Sequence, residues 1–314
     1  MKQELFEVQH APLWEKLESE LAEKKPRDTQ FPQNFRTVCH HLALAKHRRY
    51  SPQLVDRLNA LVIDAHHRFY QKNRRFRYQW LDFIVFEFPL AIRRNARFVL
   101  LALALFTLPL LVMGVGCYNN NELIYSVAPA EQVQSFESMY DPDAEKIGRE
   151  RDSETDLAMF GFYIKNNIGV SFRTFAGGIL FGVGSIFFLV FNGLSIGSVA
   201  GHLTQMGYTS TFYPFVVGHG AFELTAIVFS GAAGMKLGYA LIAPGTLSRL
   251  DALRVAGREA VIIVYGSTLM LIIAAFLEAF WSSSAALPVA VKYCVGGCLW
   301  ALVTIYFLFA GRAR

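Results

Sequence analysis

The first part of the chain repeats apolar residues at helical spacing, with polar residues filling the intervals. Leu13, Leu17 and Leu21 form one seam, and Phe35, Val38, Leu42 and Ala45 form a second, on a helix predicted over 35–49. Leu54, Leu58, Leu61, Val62, Ala65 and Phe69 form a third, at i, i+4, i+7, i+8, i+11 and i+15. This rhythm predicts three short amphipathic helices, each burying one face. Ser51-Pro52 supplies an N-cap and a first-turn proline for the last of them. Residues 1–73 are therefore expected to form a small water-soluble bundle.

From Phe98 onward the apolar residues become continuous. Phe98 to Tyr118 carries no charge, Arg258 to Trp281 has an apolar centre bounded by Glu259 and Glu278, and Leu287 to Gly311 carries only Lys292. About 20 such residues cross a hydrocarbon core of roughly 30 Å. Between Arg173 and Lys236 there is no Lys, Arg or Asp and a single Glu. Gly193, Gly197 and Gly201 fall four apart, as do Gly178 and Gly182, and Ser230, Gly234 and Gly238. On helices such stripes let backbones approach closely. The fold class expected is an all-α polytopic membrane protein with a small cytosolic bundle ahead of it.

The boundaries follow from these changes of pattern. Residues 1–73 are the bundle, 74–97 a basic and aromatic interfacial helix, 98–118 the first span, 119–173 an acidic extracytoplasmic insert and re-entry, and 174–311 the glycine-rich membrane core. In the interfacial stretch Lys72, Arg74, Arg75 and Arg77 run into Phe76, Tyr78, Trp80, Phe83, Phe86 and Phe88, which suits a helix at the headgroup level of membrane lipids. Arg93, Arg94 and Arg97 then hold the N-terminus in the cytoplasm. Residues 119–165 contain ten acidic and four basic residues, with a helix expected around 129–138. The run Asp152, Glu154, Asp156 lacks the glycine and closing Glu of a calcium loop and reads as solvated surface.

Charge changes the topology. One helix over 174–205 and one over 213–240 would give five spans and leave Lys236, Arg249, Arg254 and Arg258 outside, against the positive-inside bias. A sixth crossing repairs this, and Asn192-Gly193 is the break expected. Residues 174–191 would make a full pass of about 27 Å and 194–206 a short or re-entrant arm of about 20 Å. Pro214 is expected to open the next helix, and Leu247 to Gly257 to form a separate basic link.

The composition, 53% hydrophobic with a formal charge of +5, excludes nucleic acid as partner, because the basic residues crowd at the membrane entry without interleaved stacking platforms. Four cysteines supply no disulfide or metal framework. The first span is expected to act as its own insertion signal. His40-His41 and His66-His67 diverge by about 100° on a helix and read as solvated faces.

His219 and Glu223 are the strongest chemical pair, one helical turn apart inside the apolar core. A carboxylate at mid-bilayer costs about 2.5–3.5 kcal/mol, so Glu223 should face protein or a wet cavity. Three readings stand open. The pair is a proton or ion relay; or it is two metal ligands lacking a third, for which His202 is the other intramembrane histidine; or Glu223 bonds Asn192 and His219 as structural glue. Asn192, Gly193 and His202 thus join the pair as candidate binding residues, with no resident metal or cofactor expected. Zinc-protease, nucleophile-elbow and phosphate-loop motifs are missing from the chain, which argues against an enzyme.

Asn166-Asn167-Ile168-x-Val170-x-Phe172, Gly178-x-x-x-Gly182-x-Gly184, Asn192-Gly193-x-x-x-Gly197, Gly218-His219-Gly220-x-x-Glu223-Leu224 and Gly231-Ala232-Ala233-Gly234 resemble the signature of the stage II sporulation protein M family. Residues 1–97 are similar to the cytosolic extension of its longer members in bacteria that do not sporulate. The resemblance implies a protein of the bacterial cytoplasmic (inner) membrane without catalytic activity. Sporulation members hold peptidoglycan-degrading partners in an envelope-remodelling complex. The longer members are commonly encoded beside a MoxR-type AAA+ ATPase and von Willebrand factor A-like proteins. The bundle and the acidic insert depart from the short sporulation type, so spore engulfment is not carried over. The expected role is a scaffold, homo-oligomeric through its glycine faces with a dimer favoured; the alternative is a transporter or channel using His219 and Glu223.

Overall fold

The computed structural model describes residues 2–22, 30–70, 76–143, 156–284 and 287–312, with the backbone alone at 68–70 and 76–78. The described residues are helical without a strand, and the chain divides into two units, Met1–Gln79 and Trp80–Arg314.

The first unit packs α1 (Gln3–Ala22), α2 (Phe31–His47) and α3 (Pro52–Tyr70) around Phe6, Trp14, Leu17, Phe31, Val38, Leu42, Leu54, Leu58 and Leu61. All three predicted seams face this core, although Leu13, Leu21, Phe35 and Val62 are only partly buried. The side chain of Phe69 lies outside the described residues. At the start of α3, Gln3 of α1 grips Ser51: the Gln3 amide donates to Ser51 Oγ at 2.8 Å and accepts from Ser51 N at 2.9 Å. The histidine expectation needs correcting at one position. His40, His66 and His67 are exposed, but His41 is buried, and its Nδ1 accepts a hydrogen bond from Trp14 Nε1 at 3.1 Å. The indole needs a buried acceptor, and His41 lies one position further round α2 than His40, on the Val38–Leu42 face.

The second unit holds the remaining helices. They are α4 (Phe76–Asp82, at the boundary), α5 (Phe88–Arg94), α6 (Ala96–Asn119), α7 (Ala130–Tyr140), α8 (Asp156–Ala176), α9 (Val183–Gln205), α10 (Thr209–Ile242), α11 (Arg249–Phe276) and α12 (Val289–Phe309). By length and composition α6, α9, α10, α11 with its extension to Ser282, and α12 can cross a membrane. Their contacts fix their directions. Gly193, Gly197 and Gly201 of α9 meet Phe106, Leu110 and Gly114 of α6 in the same order, so these two run parallel. α10 runs against α11, with Lys236 paired to Glu259 and His219 to Ser282. It runs with α12, whose Gly296 and Phe307 meet Val217 and Phe229.

α8 is not among the five helices long and apolar enough to cross a membrane, but it lies alongside them. Its 21 residues extend about 31 Å, and it runs parallel to the second half of α10: Ser171 bonds Ser230, Thr174 and Phe175 carbonyls face Gly234, and Gly182 reaches Gly238. Six helices therefore alternate in direction. The Arg93 guanidinium donates to the Phe307 carbonyl at 3.0 Å, so the entry to α6 and the end of α12 lie at one end of the unit.

The break, however, is not at Asn192-Gly193. α9 is continuous there, and the Asn192 amide donates to Phe188 O of the preceding turn at 2.6 Å. The chain turns instead at Gly177–Gly182, where Phe181 and Gly182 take left-handed backbone (φ 51° and 84°). Gly182 tolerates that conformation, and Gly177 and Gly184 press so closely that a Cβ on Gly177 would stand 2.7 Å from the Gly184 carbonyl carbon. Three other expectations change. Pro214 is the sixth residue of α10, not the first, because the helix starts at Thr209 after left-handed Gly207. The expected link at 247–257 is part of α11, which Ser248 caps by accepting from Asp251 N. The expected headgroup helix is divided: after a π-helical turn at Phe83–Glu87, α5 buries Phe88, Ala91 and Ile92, with Phe88 packed on Phe229, Phe307 and Gly266. Lys72, Arg74 and Arg75 lie outside the described residues, as do Asp152 and Glu154.

The glycine stripes are consumed inside one chain. A Cβ on Gly178, Gly193, Gly197, Gly201 or Gly238 would collide with backbone atoms of a neighbouring segment. These contacts lie between segments of the one chain. The insert is anchored to the opposite end of the unit, where α6 and α9 finish: Ile124 and Val133 pack with Met113 and Cys117, and Tyr140 with Leu203, Phe212 and Phe215.

Candidate functional site

The face of α10 that carries His219 and Glu223 looks toward the end of α11. There the helix widens into a π-helical segment, Leu277–Ser282. Such an insertion adds a residue to one turn and re-aims the side chains around it. The turn brings Glu278 and Ser282 to α10. His219, Glu223 and Glu278 each place a ligand-type atom within 4.8 Å of the other two, with His219 buried and both carboxylates partly so. His219 Nδ1 lies 3.1 Å from Ser282 Oγ, and Phe215 packs edge-on against the imidazole with ring centroids 5.4 Å apart.

The neighbours close the cluster on two sides. Trp281 packs against α10 at Gly218, where a Cβ would come within 2.6 Å of the indole. Lys292 at the start of α12 is 4% exposed and donates to the Ser282 carbonyl at 2.8 Å. Ser282 is therefore held from both sides, through its hydroxyl by α10 and through its carbonyl by α12. Two bare carboxylate charges this close in a lipid-embedded bundle would repel each other.

The other predicted residues go elsewhere. Asn192 is satisfied within α9, so the expected bond to Glu223 is replaced by one to its own helix. Gly193 packs against the Phe106 carbonyl of α6. His202, expected as the third intramembrane ligand, binds the insert instead: its Nε2 lies 2.7 Å from Glu137 Oε1, with its side chain almost wholly buried. Helix direction explains this, since His202 lies at the α7 end of α9 and faces Glu137.

Sequence reasoning passed over Glu278, Ser282 and Lys292. Glu278 served only as the edge of an apolar run and Lys292 as a lone charge within one. An isolated charge in an apolar run is itself a signal of a buried partner. The π-helical turn that brings them to His219 leaves no comparable mark in the sequence.

Comparison with known proteins agrees with the division of the chain. The model of the family described as stage II sporulation protein M matches residues 98–283. A domain family of unknown function matches residues 4–71. An uncharacterized protein of Methanocaldococcus jannaschii is 30% identical over 127 residues, covering 38% of this chain and 69% of that protein. No solved structure matches.

Proposed function

The chain belongs to the stage II sporulation protein M family, and from that premise we propose that it is a non-catalytic scaffold of the cytoplasmic membrane, with its N-terminus inside. Residues 1–79 dock a cytosolic partner of the AAA+ ATPase or von Willebrand factor A-like class, and the acidic insert meets envelope machinery outside. The observation that carries this reading is the separation of tasks in the fold. One unit has its own water-type core, while the other is a close-packed helical body with a folded insert pinned to one end through Tyr140, Ile124 and Glu137. A cytoplasmic N-terminus is supported by Arg93, Arg94, Lys236, Arg249 and Arg254, which gather at the end opposite the insert, in keeping with the positive-inside bias. Besides the polar cluster, a cleft of about 470 Å³ among α6, α10 and α12 is lined by apolar residues such as Leu103, Phe106, Leu224, Val228 and Phe307, which suits lipid better than an aqueous pathway.

Crosslinked pull-down from native membranes tests the scaffold. The full chain should recover non-identical cytosolic and envelope proteins, and deletion of 1–79 should lose the cytosolic set alone. Recovery of identical subunits only would remove the reading.

A second reading, ion- or proton-coupled transport, is favoured by the His219, Glu223 and Glu278 cluster. It requires a flux in liposomes that Glu223→Gln abolishes. A wild type without flux, or a flux indifferent to the substitution, discards it.

A further inference from the structure

We propose that His219, Glu223 and Glu278 form a binding site for one divalent transition-metal cation, which clamps α10 to the π-helical end of α11. Three donors converge from two helices: an imidazole nitrogen, and two carboxylates whose oxygens lie within 4.8 Å of it and of each other. A tetrahedral cation with bonds of about 2.0–2.1 Å holds its donors about 3.3 Å apart, so side-chain adjustments of about 1 Å close the set. Three protein ligands leave a fourth position for water.

Charge favours a divalent ion over a monovalent one. Two carboxylates and a neutral imidazole carry two negative charges, which a divalent cation cancels, and a neutral cluster is what a helical bundle in lipid accommodates best. Donor type narrows the class further. Mixed imidazole and carboxylate ligation suits zinc, manganese, iron or cobalt, whereas calcium and magnesium prefer oxygen alone.

The surroundings match a ligand set held in place. Ser282 Oγ at 3.1 Å from His219 Nδ1 fixes the rotation of the ring, in the way that outer hydrogen bonds orient metal-binding histidines. The Lys292 ammonium is turned to the Ser282 carbonyl at 2.8 Å. Phe215 and Trp281 pack the cluster against His219 and Gly218. The His-x-x-x-Glu spacing on α10 supplies two donors by helix geometry alone. The third depends on the π-helical turn, which gives that irregular segment a purpose.

The test is titration of the full-length, detergent-solubilised chain, free of any histidine tag and stripped by chelator, with Co²⁺ followed by its visible absorption and with Zn²⁺ by competition. Wild type should bind one equivalent and melt at higher temperature when loaded. Glu223→Gln with Glu278→Gln should weaken binding at least 100-fold and lose the thermal shift. Ser282→Ala should weaken it about 10-fold, while His202→Ala should bind as wild type. Glu278→Asp, which keeps the charge and shortens the reach, should shift the Co²⁺ bands and so tests the site even if the double variant does not fold. Wild-type uptake below one equivalent, loading without a thermal shift, or bands unchanged in Glu278→Asp would overturn the proposal. None of these results bears on pull-down of partners, so the site and the scaffold reading fail separately.

Discussion

The two units bury their residues by different means. In residues 1–79 the centre is large: Phe6, Trp14, Leu17 and Leu58 are each at most 1% exposed. In the membrane unit Leu189, Leu203, Ile263 and Leu271 are as deeply buried, but they share the interior with Ala102, Ala221, Ala226, Ala232, Ala233, Ala260 and Ala274, and with glycines where helices touch. Water explains the first case, because burying a large apolar side chain there gains about 1.5–3 kcal/mol. Lipid removes that gain, since acyl chains are as apolar as leucine, and close van der Waals packing becomes the means of association. The difference teaches where each unit is vulnerable: to lost volume in the bundle, to added volume in the membrane.

The largest effect is expected from adding volume in the membrane. Gly178→Leu drives a side chain into the Gly234 backbone, which cannot rotate away, so the cost should exceed the 1–3 kcal/mol or so of ordinary overpacking. Size-exclusion chromatography should show the monodisperse peak lost; a wild-type profile would mean that close packing is dispensable. Next is Trp14→Ala, which empties the centre of the bundle and orphans His41 Nδ1. A loss of about 3–5 kcal/mol is expected, read as increased hydrogen exchange in α1–α3 with α9 and α10 unaffected.

The third effect is pH. Burial, then the neighbouring His10 and His40, push the His41 value from 6.5 down to about 4, and protonation would remove the lone pair that accepts from Trp14. Between those values the unfolded bundle binds more protons than the folded one, so stability falls as pH drops. Going from pH 7 to pH 5 should cost about 1–2 kcal/mol, measured by hydrogen exchange of α2 corrected for the intrinsic rate. Exchange that slows on acidification would contradict the buried neutral imidazole. The smallest effect is a control on the first: Gly161→Ala and Gly297→Ala meet nothing within 4 Å and should leave stability within about 1 kcal/mol, tending upward through helix propensity.

Much of this was readable in advance where the signal is local. The seam at Leu54, Leu58 and Leu61, the spans at 98–118 and 287–311, and His219 with Glu223 on one face all follow from spacing within a single helix. The sixth crossing expected from counting charges falls at a break that α9 does not have, and five helices are long and apolar enough to span. Asn192-Gly193 is the break expected because it leaves 174–191 long enough for a full pass and restores the positive-inside bias. Within the fold Asn192 satisfies itself on Phe188, and Gly193 is there for the sake of α6.

The sequence by itself determined that this chain has a water-soluble helical part and a lipid-embedded one, because solvent writes the period and continuity of apolar residues directly into the chain. Tertiary structure alone decided that His41 is a core acceptor, that the glycine stripes close on their own chain, that His202 belongs to Glu137 and that Glu278 belongs to His219. Each of those depends on which helix stands opposite and how it is rotated. Residues separated by 27 to 65 positions, or by the 55 between Glu223 and Glu278, meet only when that rotation is set.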